Sequence, residues 1–401
     1  MKSFIFNLFL IGIVLMNTNL SGQSNNILDS LISSNYKKLL PVIENIEKYE
    51  LQILYTKINR QKDNSVSFET CSFNEQPSVY FYPASTVKLP AAILALEKLN
   101  DLNVEAVNKD THISIDSVFQ DHVVLQKEYR NECGKPNLAN YIKQIFLVSD
   151  NESFNRLYDF LGQKEINERL LKRGFANTNI IHRLSVARTA QQNRESNSIN
   201  FFSENGKLLY TQPARIQAST ISLNQTGTLK GNGYYTNGKL IDKPMDFSEN
   251  NIFGLRDQHN LMLRIMFPEN FTEEERFNLT KDDYRFLRKF MSMLPKESKC
   301  PNYDSSKYYD GYLKFLMFGD TKENIPDHIQ IYNKSGLAYG YLTDNAYIVD
   351  KKNNIEFILS AAIHVNENGI YNDDNYEYDE IGLPFLANLG KIIYDYQRKG
   401  K

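Results

Sequence analysis

Phe81-Tyr82-Pro83-Ala84-Ser85-Thr86-Val87-Lys88-Leu89-Pro90, continued by Ala91-Ala92-Ile93-Leu94-Ala95-Leu96-Glu97-Lys98-Leu99, is the stretch on which the reading turns. From Ser85 to Leu99 it is almost wholly apolar, which suits a helix buried on most sides better than an amphipathic surface helix. Lys88 departs from that pattern one turn in, on the face of Ser85, because residues three apart on a helix are neighbours. Burial pushes a lysine pKa down, and a neutral amine beside a hydroxyl at a helix start is a general base next to a nucleophile. The spacing alone means little, since S-x-x-K occurs by chance roughly once in a chain of this composition. Ser34-Asn35-Tyr36-Lys37 repeats it, but reads as the exposed face of an N-terminal helix. Only Ser85 opens an apolar one.

A chain of 401 residues holds one large domain or two modest ones. Its net charge of −2 gives neither nucleic acid nor an anionic membrane surface a footing as partner. Lys2, the apolar run from Phe4 to Met16 and the small and polar residues through Ser24 read as a secretory signal peptide over residues 1–23. An uncleaved anchor is the alternative. The run is too short for a spanning helix, and no later segment is apolar enough to cross a membrane. The expected location is periplasmic or secreted, with residues 24–401 as one catalytic domain. Export permits disulfides, yet only Cys71, Cys133 and Cys300 are present. An odd count leaves one thiol unpaired within the chain, and a Cys71–Cys133 bridge is one pairing open to the other two.

Outward from the central stretch, Ile27 to Lys48 has helical spacing with a break at Pro41. Leu51, Ile53, Tyr55 and Ile58 alternate as a strand, and a polar turn at residues 61–65 leads to a second strand at Val66. Residues 101–135 are mixed, with Ile113–Ile115 and Val123–Leu125 as short strands or loop packing. Helical patterns cover Leu138–Leu147, Ser153–Leu161, Ile166–Lys172, Leu255–Met266 and Thr280–Leu294. Between them, residues 193–251 are rich in Asn, Ser, Thr, Gly and Tyr. Turn signals at Asn205-Gly206, Thr226-Gly227, Gly231-Asn232-Gly233 and Asn237-Gly238 mark an enlarged loop region with small hairpins. His328–Lys334, Leu342–Asp350 and Ile355–His364 are successive strands, and Ile381–Gln397 is a closing amphipathic helix. Strands at both ends of a helical middle imply one antiparallel sheet built from distant parts of the chain, with a helical subdomain of about 89–325 inserted.

Two further motifs suit a partner for Ser85. Ser149-Asp150-Asn151 falls at a turn between two helices, where the plain reading is an N-cap. Lys334-Ser335-Gly336 ends a predicted strand, where the plain reading is a hairpin turn. In the order S-x-x-K, S-D-N, K-[ST]-G, the sequence resembles class A β-lactamases and the wider penicillin-recognising family of serine acyl-enzymes. The resemblance covers roughly residues 27–190 and 325–398 and fails for much of the middle.

That resemblance implies the α/β serine β-lactamase/DD-peptidase fold: an antiparallel sheet with flanking terminal helices and an inserted helical subdomain, the active site at their junction. It implies catalytic roles for three residues. Ser85 attacks the carbonyl, Lys88 helps take its proton, and Ser149 passes a proton to the leaving nitrogen. Asn151 holds the substrate's side-chain amide, Lys334 and Ser335 bind its carboxylate, and Gly336 leaves it room along the strand edge. The backbone N–H groups of Ser85 and Leu337 form the oxyanion hole, each such donor contributing about 3–4 kcal/mol to the transition state.

Two departures stand out. Class A enzymes carry a deacylating glutamate on a loop after the S-D-N helix, whereas the corresponding stretch here, Ile181 to Arg188, contains no acid. Glu195 is the nearest downstream candidate for that base. Ser149 and Lys334 also lie much further apart in sequence than in compact members.

The expected activity is hydrolysis of β-lactams through a Ser85 acyl-enzyme, the chemistry of antibiotic resistance, with no metal or organic cofactor. A peptidoglycan D-Ala-D-Ala peptidase using the same residues is the alternative, and a non-catalytic binder of cell-wall peptides is the second. The substrate is accordingly a small β-lactam or a wall peptide. The six histidines show no H-E-x-x-H and no zinc spacing and read as structural. Asp150 reads as a turn stabiliser and Asp344 as a hydrogen-bonding strand residue. Tyr371–Tyr378 reads as a solvated loop, with the lining of a cleft as the alternative.

Overall fold

The computed structural model describes residues 26–116, 118, 119, 135–218, 223 and 225–400; the signal-peptide region, Val123–Leu125 and Cys133 lie outside them. Two segments from opposite ends of the chain share its main sheet. The strands are β1 (Gln52–Arg60), β2 (Val66–Phe73), β3 (Ile329–Asn333), β4 (Gly336–Ala338), β5 (Tyr341–Asp350) and β6 (Ile355–His364). Their order is β3-β5-β6-β1-β2, with β4 also on β5, and every pairing is antiparallel. The register Leu54↔Ser360 ties the two ends together.

The strand alternation decides what covers each face. Along β6, Ile355, Phe357, Leu359, Ala361 and Ile363 join one core, while Ile358 joins another. Successive side chains point to opposite faces, and with both faces buried the strand reads as a nearly continuous apolar run. On the first face lie α1 (Ile27–Ser34), through Leu28 and Ile32, and the C-terminal helix (Leu383–Lys399), through Phe385, Leu386, Leu389 and Ile393. Each such side chain, fully buried, contributes about 1.5–3 kcal/mol. The last helix starts two residues later than its spacing suggests, after a single π turn at Tyr378–Gly382.

The other face carries the helical subdomain. Its centre is α2 (Lys88–Leu102), in which every residue from Lys88 to Leu99 is buried. Around it pack α3 (Leu138–Val148), α4 (Asn151–Leu161) and α5 (Gln163–Lys172), with α6 (Leu255–Met266) against the sheet and α7 (Lys281–Ser292) beside α3. All five correspond to expected helical stretches. The short segment His112–Ile115 is a strand, paired with Ile199–Phe202.

The enlarged loop region folds into short strands. Gly233–Thr236 pairs with Lys239–Ile241 and runs parallel to Ile370–Tyr371, so the middle of the chain is stitched to the loop before the last helix. Asn232 N–H donates to Gly369 O and the Asn372 amide to Tyr235 O. Cys71 carries a free thiol, so a Cys71–Cys133 bridge is not formed, and Cys300 is disulfide-bonded. Among the described residues no helix is long and apolar enough to cross a membrane.

Candidate active site

Three segments meet where the sheet touches the helical subdomain. Pro83 closes the preceding chain, and a 3-10 turn over Ala84–Val87 feeds directly into α2. Ala84 holds φ at +48°, a left-handed conformation that costs a non-glycine residue roughly 1–2 kcal/mol. The kink leaves Ser85 partly exposed at the head of a buried helix, with Lys88 fully buried one turn on.

The S-D-N turn serves both of its readings. Ser149 ends α3 in the left-handed region (φ +57°), and Asp150 caps α4 by accepting from Ser153 N–H at 2.7 Å. That geometry presents Ser149 and Asn151 to Lys88. Lys88 Nζ donates to Asn151 Oδ1 at 2.6 Å and to the Ser149 carbonyl at 2.5 Å, and lies 2.9 Å from Ser85 Oγ and 3.2 Å from Ser149 Oγ. Carbonyl oxygens only accept. A neutral Lys88 therefore spends its two hydrogens on them and turns its lone pair toward the hydroxyls. Burial first, then the charge of Lys334, holds the Lys88 pKa well below the ordinary lysine value, against a smaller opposing pull from Asp150.

The third motif is not a hairpin turn. The chain continues from β3 into β4, and the turn comes later, at Tyr339 and Gly340, both with positive φ. Gly336 meets a steric demand: a Cβ there would lie 2.8 Å from Ser85 N and 2.9 Å from Pro83 O. Neither backbone atom can give way, so only glycine lets β4 press against the turn that carries Ser85. Lys334 Nζ donates to Ser149 Oγ at 2.9 Å and to Ser335 O at 2.6 Å. Burial brings its pKa down to about 7. Beneath it, Asp344 accepts from Asn333 Nδ2, and Asn333 Oδ1 accepts from buried Lys314. Burial raises Asp344 to about 6, and its place is the expected one of a hydrogen-bonding strand residue.

Ser85, Lys88, Ser149, Asn151 and Lys334 thus form one continuous hydrogen-bonded set. Leu337 shares the lining of a 390 Å³ cleft with Ser85 and Asn151. Two expected site residues stand differently. The Ser335 hydroxyl is buried and donates to Leu313 O, so a carboxylate contact requires it to rotate. Glu195 is buried in a short strand, offers its backbone carbonyl to Arg183, and is not among the residues lining the cleft. Glu195→Gln is therefore expected to leave the deacylation rate of a penicillin adduct unchanged, followed as loss of the adduct mass with time. A slowing of tenfold or more, about 1.4 kcal/mol in the barrier, would restore it as the base.

Residues without a sequence signal complete the walls. Ser185, in the left-handed region at φ +55°, accepts from Asn151 Nδ2 at 2.6 Å and lines the cleft with Ser85. It lies within the Ile181–Arg188 stretch, whose Arg183 is anchored by a buried ion pair with Asp159. The supposedly solvated tyrosine loop is a cleft wall: Asn372, Asp374, Tyr376 and Tyr378 line it. Its position is fixed by Tyr378 OH accepting from Gly340 N–H at 2.8 Å. The density of tyrosines was the signal available. Asp374, an exposed carboxylate, lines the same cleft. His259 is buried between Thr56 and Ser360, a structural histidine. Among the described residues no cluster of three or more His, Cys, Asp or Glu could hold a metal.

Residues 42–216 match the model of the Beta-lactamase enzyme family. A search of curated proteins found no match. Solved structures similar to the chain include a β-lactamase from Burkholderia phymatum, at 11% identity and a TM-score of 0.49, covering 92% of this chain and 98% of that one. PBP-A is similar at 15% identity and a TM-score of 0.49, covering 93% and 97%. The chromosome-encoded β-lactamase of Vibrio parahaemolyticus is similar at 15% and 0.48, covering 89% and 98%. The family match takes in Ser85, Lys88, Ser149 and Asn151, and the fold joins them to Lys334 in one cleft.

Proposed function

We infer that Ser85 forms an acyl-enzyme with D-alanyl-D-alanine peptide ends and with β-lactams, and that the protein acts as a peptidoglycan D,D-peptidase which β-lactams trap. One observation carries this reading over rapid β-lactam hydrolysis. The residue that the Ile181–Arg188 stretch delivers to the cleft beside Asn151 is a hydroxyl, Ser185, and not a carboxylate. The Lys88 lone pair takes the Ser85 proton as Oγ attacks the carbonyl, and Ser149 relays a proton to the departing nitrogen. Lys334, as an ammonium, holds the substrate carboxylate. A peptide then releases its terminal D-alanine and opens the cleft to water. A β-lactam keeps its leaving nitrogen tethered to the acyl group, so the same space stays filled. We take residues 1–23 as an export leader that would deliver the chain to the wall.

The test mixes purified protein with a chromogenic cephalosporin. The expected result is a burst of one equivalent, then a stall, with a mass adduct on Ser85. Sustained turnover would return the β-lactamase reading. The absence of both burst and adduct would leave a peptide binder.

The two amines set the pH profile in opposite senses. Lys88 must be neutral to act, so acylation rises with pH through its depressed pKa. Lys334 must be charged to hold a carboxylate, so that contribution is present below about 7 and lost above it. The second-order acylation rate is expected to fall above about 7, as Lys334 loses its proton. Lys334→Arg, which stays charged throughout, is expected to flatten the basic limb, measured as penicillin labelling from about pH 5 to about pH 9.

A further inference from the structure

Beneath Lys334 lies a second buried amine, one that takes no part in the steps at Ser85. Lys314 Nζ lies 2.8 Å from Met291 O on α7, 2.9 Å from Ile331 O on β3 and 2.7 Å from Asn333 Oδ1. The Asn333 amide cannot be turned the other way, because its Nδ2 donates at 2.7 Å to Leu313 O, which only accepts. Three accepting oxygens need three hydrogens, and a neutral lysine has two. Lys314 is therefore an ammonium. Lys88, with two such oxygens and two hydroxyls around it, is free to be an amine.

Asp344 answers that charge from β5. Buried, it accepts from Asn333 Nδ2 at 2.8 Å, from Asn345 N–H at 2.9 Å and from Leu316 N–H at 3.2 Å. Three N–H donors favour the ionised form of a carboxylate. A cation and an anion are thus joined through one amide, and that amide belongs to the residue before Lys334. The same layer grips the K-S-G segment: Leu313 O also accepts from the Ser335 hydroxyl at 2.9 Å, and Lys334 N–H donates to Asn345 O at 3.3 Å.

We propose that Lys314 and Asp344, bridged by Asn333, are positioning residues for Lys334 that set, from opposite directions, the pH at which it gives up its proton. This rests on the reading of Lys334 as the ammonium that holds the substrate carboxylate. Three titratable groups face Lys334. Lys88 on α2 feels the charge of Lys334 and not the reverse, so it loses its proton first and is neutral where Lys334 titrates. That leaves Asp344, which favours the Lys334 proton, and Lys314, which opposes it. Burial brings Lys314 down to about 8 against the pull of Asp344 and Glu297, and lifts Asp344 to about 6. Both charges therefore stand across the neutral range.

The experiment reads Lys334 directly and then through its chemistry. NMR of the lysine-labelled full chain follows the Lys334 signal, identified as the one missing from Lys334→Arg, while penicillin labelling of Ser85 gives the pH profile. Lys314→Met removes the cation and is expected to raise the Lys334 midpoint by about half a unit or more; Asp344→Asn removes the anion and is expected to lower it by about as much. The basic limb of labelling is expected to move with each. Lys314→Arg keeps a cation and is expected to hold the parent midpoint. A purely structural role cannot give opposite displacements, since loss of either partner loosens the same strand. Displacements in one direction, none at all, or an arginine variant that behaves like methionine overturn the proposal, and the acyl-enzyme stands if penicillin still labels Ser85. If Lys314→Met fails to fold, Asp344→Asn decides alone: a lowered midpoint supports the proposal, and a raised or unmoved one overturns it. Opposite displacements that the basic limb does not follow support it and remove the carboxylate-holding role of Lys334 instead.

Discussion

Lys88→Met is expected to lower the rate of Ser85 acylation by about 10³-fold or more, near the upper end of what a positioned general base supplies. Methionine matches the length of the lysine stem and belongs in a site with no exposure, so the fold is expected to survive. The variant leaves Asn151 Oδ1 and the Ser149 carbonyl without their shared donor, at about 1–3 kcal/mol for each group left unsatisfied. It also removes the need to bury an amine, which offsets that cost. A thermal midpoint close to that of the parent, with labelling by penicillin lost, is the expected pair of results. Labelling that persists within about tenfold of the parent rate would show that another group takes the Ser85 proton.

Ser185→Glu is expected to convert a trapped adduct into a turning-over one. The parent acyl-enzyme with a penicillin should persist, and the variant should release it about 10²-fold faster or more, the range of general-base catalysis. Ser185 already reaches the right wall, since its hydroxyl touches the Asn151 amide and lines the cleft that holds Ser85. A carboxylate there would enter the cleft that holds Ser85, where it can activate a water. The positive φ of Ser185 strains any residue with a Cβ by about 1–2 kcal/mol, a cost that serine already bears, so glutamate adds little to it. Matching half-lives for parent and variant adducts, read by mass, would mean that the stall has another cause.

What the sequence disclosed follows from which signals are local. The sheet was legible because β1, β5 and β6 carry their burial in their own alternation. The helix from Lys88 was legible because its apolar run leaves no face for water. The three motifs were legible by spacing and order, although Ser149 and Lys334 meet only through tertiary closure. The walls were not legible for the same reason. Ser185 is an ordinary serine until the Arg183–Asp159 pair and Asn151 fix its loop. Tyr376 and Tyr378 look solvent-bound until Gly340 N–H is seen to bond the Tyr378 hydroxyl. Glu195 is near along the chain, but strand pairing with Ile216 turns that segment elsewhere. Ser335 matched the motif by type, while its proton is taken by Leu313 O.

The sheet's closure by the two chain ends has a consequence for biosynthesis. Ser85, Lys88 and Ser149 are all made before strands β3 to β6, which bring Lys334. A chain that lacks those strands carries Ser85 and Lys88 without the strand against which their turn packs, and contacts of such long range make assembly slow. The hydrogen-bonded set around Ser85 is complete only once β3 and β4 have joined the sheet and brought Lys334 to Ser149.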